Sequence, residues 1–138
     1  MSFNKKSIDA ATAQRLIDAA IAKSVAMDRA MCIAIVNECG QLKAFHKMDG
    51  AAFLAIDIAQ DKAYTAASFG MPSHAWFDFI KDDPPLLHGI TKTPRLVVFG
   101  GGYPIMEDGQ MIGAIGVSGG HYSEDMKVAE AALEGFSL

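Results

Sequence analysis

The segment from Gly100 to Gly120, GGGYPIMEDGQMIGAIGVSGG, holds eight glycines, seven in two apolar runs and one in the joining turn Glu107-Asp108-Gly109-Gln110. Each glycine inside a strand costs stability, so repeated glycine there means that something comes close to the main chain. A ligand, a packed helix and a neighbouring subunit all meet that description. The pattern predicts a hairpin, with strands near Tyr103 to Met106 and Met111 to Ser118. Along the second arm Ile112, Ala114 and Gly116 share one face, while Met111, Ile115 and Val117 share the other. Both faces are apolar, which places this strand in the middle of its sheet.

The rest of the chain supplies partners for that hairpin. Ala13, Leu16, Ile17, Ala20, Ile21 and Val25 recur at helical spacing, predicting a first helix from Asp9 to Asp28 capped by Ser7 or Asp9. Met31 to Asn37 is short and apolar on both faces, as a buried strand would be, and Leu42 to Lys47 returns as its hairpin arm. A second helix, near Ala51 to Phe69, carries Ala52, Ala55, Ala59, Ala63 and Ala66 on one stripe, so its axis can lie close to the sheet. Met71-Pro72 breaks it, and a short third helix fits Pro72 to Lys81. Asp82 to Pro94, with three prolines, reads as a surface excursion, and Arg95 to Phe99 as a further strand. Ser123, Glu124 and Asp125 place a cap and negative charge at the start of a last helix reaching about Leu133. Hairpins dominate the connections, so the fold class is α+β: a largely antiparallel sheet with helices on its faces.

Composition narrows the function classes. The 138 residues suit one domain, 1–138, and twelve basic against sixteen acidic side chains leave a net charge of −4 with neither sign in a block. A nucleic-acid partner is not expected without a basic face. No signal-like segment or membrane-length apolar run is visible, so the expected location is cytoplasmic, without a membrane partner. Cys32 and Cys39 form no metal-type pair, and free thiols are expected.

Four segments together resemble the GlcG/HbpS-like family, also called the haem-degrading domain family. These are NECGQLKAFHKMDGA (Asn37 to Ala51), the alanine helix with Asp61-Lys62-Ala63-Tyr64-Thr65-Ala66, GGGYPI, and IGAIGVSGG followed by an acidic helix start. The same domain forms the C-terminal part of some corrinoid adenosyltransferases. The resemblance runs from about Ile8 to Leu133. It implies a profilin-like sandwich with a five-stranded antiparallel sheet, assembly into homo-oligomers, and haem as a cofactor in some members. Haem-binding relatives that use a histidine in the first helix offer no ligand to carry over, since no histidine precedes His46 here.

Two functional readings follow. In the first, Gly101, Gly102, Tyr103, Ser118, Gly119, Gly120 and His121 form a pocket for a small anionic or planar ligand, haem among the candidates. Main-chain N–H groups would serve as donors there, helped by the start of the last helix. In the second, the chain is an enzyme of small organic acids, with Asp49 and His121 moving protons. The glycines fit tight turns and helix-on-sheet packing equally well, and Asp49 fits a helix cap. His74 and His88 lie in the middle region, where His88 can also be read as a haem ligand. Trp76 and Tyr103 suit either a flat apolar pocket or core packing. No metal site is expected from the residue spacing.

Overall fold

Ile33 and Ile35 alternate with Cys32, Ala34 and Val36 along β1 (Cys32–Asn37), and both sets are buried. A strand with two apolar faces needs a cover on each, and the computed structural model, which describes residues 1–136, shows both. The sheet is antiparallel with order β2-β1-β4-β3, where β2 is Leu42–Lys47, β3 is Gly102–Glu107 and β4 is Gln110–Ser118. The glycine-rich β4 is central, as its apolar faces require. Helices α1 (Ala10–Ala26) and α5 (Tyr122–Glu134) cover the face bearing Ile33, Ile35, Ile115 and Val117. Helix α2 (Leu54–Phe69) covers the opposite face, bearing Cys32, Ala34, Val36 and Ala114. Two short helices, α3 (Ala75–Ile80) and α4 (Pro84–Gly89), lead from α2 towards β3.

The alanine stripe does what its spacing predicts except at Ala52, which precedes α2 and is exposed. Ala55, Ala59, Ala63 and Ala66 are buried against the sheet, and a Cβ on Gly116 would fall on the Ala59 carbonyl. Gly102 is equally committed, since a Cβ there would meet the main chain of Lys62. These two glycines permit contact between helix and sheet backbones.

Four expectations need correction. The sheet has four strands among the described residues, not five, because Arg95 to Phe99 is an irregular strap. The Thr65 hydroxyl donates to the Arg95 carbonyl at 2.8 Å and accepts the Val97 N–H at 3.0 Å. Arg95 has a φ of +67°, which turns the chain away from an extended path. Helix side chains thus take the main-chain groups that a neighbouring strand would need. Helix α2 begins at Leu54, and its N-cap position, Phe53, makes no side-chain cap bond, so Asp49 is not its cap. The proline-rich excursion contains α4, opened by Asp83, whose carboxylate accepts the Leu86 N–H, with proline in the first turn. Helix α5 is capped by His121 rather than Ser123, whereas Asp9 caps α1 as expected.

Candidate functional site

Lys62 lies on α2 at the spacing of the alanine stripe, and its side chain is fully buried. Its ammonium donates to Asp125 Oδ2 at 2.7 Å and to the Val117 carbonyl at 2.9 Å, and lies 5.1 Å from the centre of the Phe99 ring. Gly101, with a φ of +126°, leaves room for it, since a Cβ there would sit 2.7 Å from Nζ. Burial pulls the Lys62 ammonium below its usual range and pushes the Asp125 carboxyl up, and their mutual attraction offsets only part of each shift. A buried ion pair is tolerated where hydrogen bonds complete it. Asp125 Oδ1 completes this one by accepting the Gly120 N–H at 3.1 Å.

Phe99 also forms a wall of an apolar groove of about 480 Å³, lined by His74, Phe77, Asp78, Val98, Phe99, Gly100, Tyr122 and Met126. Three of its aromatic side chains remain substantially solvent-exposed: Phe77 by 48%, Phe99 by 43% and Tyr122 by 46%. Scattered exposed apolar residues are ordinary, but aromatic groups converging on one concavity make it the candidate site. Gly100 lets Met126 form the floor, because a Cβ there would collide with the Met126 thioether. Phe99 and Tyr122 stand 6.4 Å apart, centre to centre, and the His121 ring stacks on Tyr122 at 4.2 Å. His74 faces the Tyr103 ring at 5.7 Å. The Tyr103 hydroxyl donates to Glu130 at 2.6 Å, and burial followed by that carboxylate holds the phenol protonated far above its normal range.

A second depression, of about 510 Å³, is polar and includes Asp9, Thr12, Arg15 and Asp108. Its polar groups already have partners: Asp9 caps Thr12, Arg15 donates to the Thr12 hydroxyl, and Asp108 pairs with Lys6 at 2.8 Å. The aromatic groove has exposed aromatic faces without partners, whereas the charged groups of this depression are paired with one another or with neighbours.

The residues expected to bind a ligand gather at one end of the sheet, where Gly102 pairs with Gly116 and Ser118 with Cys32. Three of their main-chain donors are engaged by side chains. The Gly102 N–H goes to Ser73 Oγ at 2.9 Å, Gly120 to Asp125, and His121 to Glu124 at 3.2 Å. The His121 ring nitrogen Nδ1 accepts the Ser123 N–H at 3.2 Å, completing the capping box. The segment contributes Gly100 to the groove lining, while the Tyr103 and His121 rings touch the lining residues His74 and Tyr122.

Asp49 is exposed in the turn after β2. It shares an end of the sheet with His121, because Lys47 and Ser118 both pair with Cys32, at the start of β1. His46 and His88 are exposed and do not line the groove. Trp76 is buried against Phe69, beside a different depression. Cys32 and Cys39 are free.

Sequence reasoning missed Lys62, Asp125 and most of the aromatic wall. A charged residue on the apolar stripe of α2 was a legible signal for Lys62. Phe77, Phe99 and the Tyr122–Met126 pair come from three separate segments, and no local spacing links the three.

The sequence matches the family model described as haem degrading protein HbpS-like over residues 8–134. It is 35% identical over 132 residues to an uncharacterized 15.0 kDa protein from the dhaT-dhaS intergenic region of Citrobacter freundii, covering 94% of this chain and 92% of that one. It is 28% identical to the corrinoid adenosyltransferase PduO of Salmonella typhimurium, matching 90% of this chain but only 37% of the transferase. Among solved structures, a PduOC:heme complex superposes with a TM-score of 0.87 at 27% identity, covering 95% of this chain and 96% of that one.

Proposed function

This chain belongs to the HbpS-like family, and we propose that it is a small-molecule-binding protein whose aromatic groove takes a flat, largely apolar ligand of the haem type. One observation carries the reading: Phe77, Phe99 and Tyr122 converge, half-exposed, on a concavity within the size range of ligand sites, roughly 300–1,000 Å³. The heme-bound relative supports it. The residues present fit such a group. Exposed aromatic rings suit the faces of a macrocycle, the Met126 thioether and the His74 imidazole are groups that can ligate iron, and the open side leaves acidic substituents in water. When bound, haem would supply a redox-active iron. The protein's part is to cover the apolar faces and exclude water from them. Gly101, Gly102, Ser118, Gly119 and Gly120 hold the wall in place, while Tyr103 and His121 buttress His74 and Tyr122.

Haemin titration followed by the Soret band tests this. Saturable binding at micromolar protein is expected, weakened about tenfold or more by Phe99→Ala, since truncating a central aromatic anchor costs roughly 2 kcal/mol. Absence of a Soret shift, or equal binding by the variant, would remove the groove from the account.

Acid–base turnover of a small organic acid by Asp49 and His121 is the second reading, favoured by their position at one end of the sheet. It requires a reaction that both Asp49→Asn and His121→Ala abolish. Self-association belongs to the proposal as well. Phe53, Leu54, Phe69 and Phe79 are exposed apolar side chains that a second copy would cover, and light scattering would show a mass above that of one chain. No helix among the described residues is long and apolar enough to cross a membrane.

A further inference from the structure

Lys62 and Asp125 belong to helices on opposite faces of the sheet, α2 and α5. Their ion pair therefore joins the two helical layers, with the Val117 carbonyl of β4 as a further partner of the ammonium. The strap is fitted to the same lysine. A Cβ on Gly101 would lie 2.7 Å from Nζ and 2.9 Å from Cδ, and the centre of the Phe99 ring is 5.1 Å from Nζ. Ser73, just before α3, ties that helix to the strap: its hydroxyl donates to the Phe99 carbonyl at 2.7 Å and accepts the Gly102 N–H at 2.9 Å. The three segments lining the groove, α3, the strap and α5, are thus linked in series through Ser73 and Lys62.

Stability alone does not account for the charges. A buried ion pair is often replaceable by apolar side chains of similar size with no loss of stability. What it supplies is direction. The strap meets α5 through Phe99 on Tyr122 and Gly100 against Met126, contacts that are apolar and so weakly directional. The bonds from the pair to the Val117 carbonyl and the Gly120 N–H prefer one distance and one angle.

We infer that Lys62 and Asp125 are positioning residues for the aromatic groove, holding the strap and α5 at the separation that a flat aromatic guest requires. The inference rests on the binding reading above and adds to it two buried residues that act without touching the guest.

The test uses Lys62→Met with Asp125→Leu, where an apolar pair replaces the charged one, and metal-free protoporphyrin IX as the probe, so that iron ligation plays no part. The double variant should keep the fold and much of the parent's stability, yet bind the porphyrin about tenfold or more weakly. In the ligand-free variant the amide resonances of Val98 and Tyr122 should broaden or split as the strap and α5 lose a fixed spacing, while those of Ile33 and Ile35 in β1 stay sharp. A pair that only stabilises the fold would move neither the affinity nor those resonances. A folded double variant that binds within about threefold of the parent overturns the positioning role and leaves the groove standing. Where the double variant does not fold, Asp125→Asn carries the test, since it keeps the side-chain volume and loses one of the two carboxylate acceptors. Weaker porphyrin binding is then expected, and parental affinity overturns the inference. A parent protein that binds no porphyrin, or that binds it no better than Phe99→Ala does, overturns the groove and the inference together.

Discussion

Lys62 illustrates how one side chain can stay hidden inside an apolar pattern. Its three protons are directed to a carboxylate, a carbonyl and the region of an aromatic ring, so the charge is buried but not abandoned. Removing one partner leaves the other uncompensated. Lys62→Met should therefore destabilise the fold by about 3–5 kcal/mol in denaturant melts, and Lys62→Met with Asp125→Leu should recover much of that loss. A double variant no more stable than the single one would show that the pair is not the source of the cost. Gly116 makes the complementary point without charge. An added methyl group would fall on the Ala59 carbonyl, so Gly116→Ala should lower stability by at least about 1–3 kcal/mol, as overpacking does, or prevent folding. The same change at Gly109, where an added Cβ meets nothing within 4 Å, costs only the strain of a positive φ.

Elements with strong periodicity were legible in the sequence: α1, β1, the alanine helix and the glycine hairpin all lie near their expected positions. Arg95 to Phe99 was not, because its apolar run satisfies a strand pattern while its hydrogen bonds go to α2. Thr65 is the residue that decides this, and Thr65→Val should release the strap. The expected result is a loss of about 1–3 kcal/mol and faster amide exchange at Val97, since one buried N–H and one carbonyl lose their partner. The start of α5 was misread by two residues because histidine is an uncommon cap. Its stability should depend on acid. Arg29, then the His121 main chain, hold the Glu124 carboxyl below its ordinary value of 4.5. A carboxyl depressed in the folded state contributes stability above its unfolded pKa and loses it as pH falls through the folded value. Stability should thus decline below about pH 4.5, and Glu124→Gln should flatten that decline in melts collected across the acid range.

For the whole molecule, the sheet and its two covered faces follow from hydrophobic alternation, but the groove does not. Its walls come from α3, the strap and α5, which are distant in sequence. The glycine segment reaches the groove through Gly100, for a physical reason. Close approach of backbones creates the shape, and side chains from elsewhere then line it. Donors imagined as free for a guest are largely used to hold the wall together. The ligand reading accordingly moves from main-chain donors to aromatic faces, and of the anionic or planar ligand expected it keeps the planar one.

Met126 is the most direct reporter of that claim, because it lines the groove while Met27, Met31 and Met48 pack in or against the core on the α1–α5 side of the sheet. Titrating diamagnetic zinc protoporphyrin into protein carrying methyl-labelled methionine should move the Met126 resonance strongly through the porphyrin ring current and leave those core methionines nearly in place. An unmoved Met126, or shifts concentrated at the core methionines, would contradict the account.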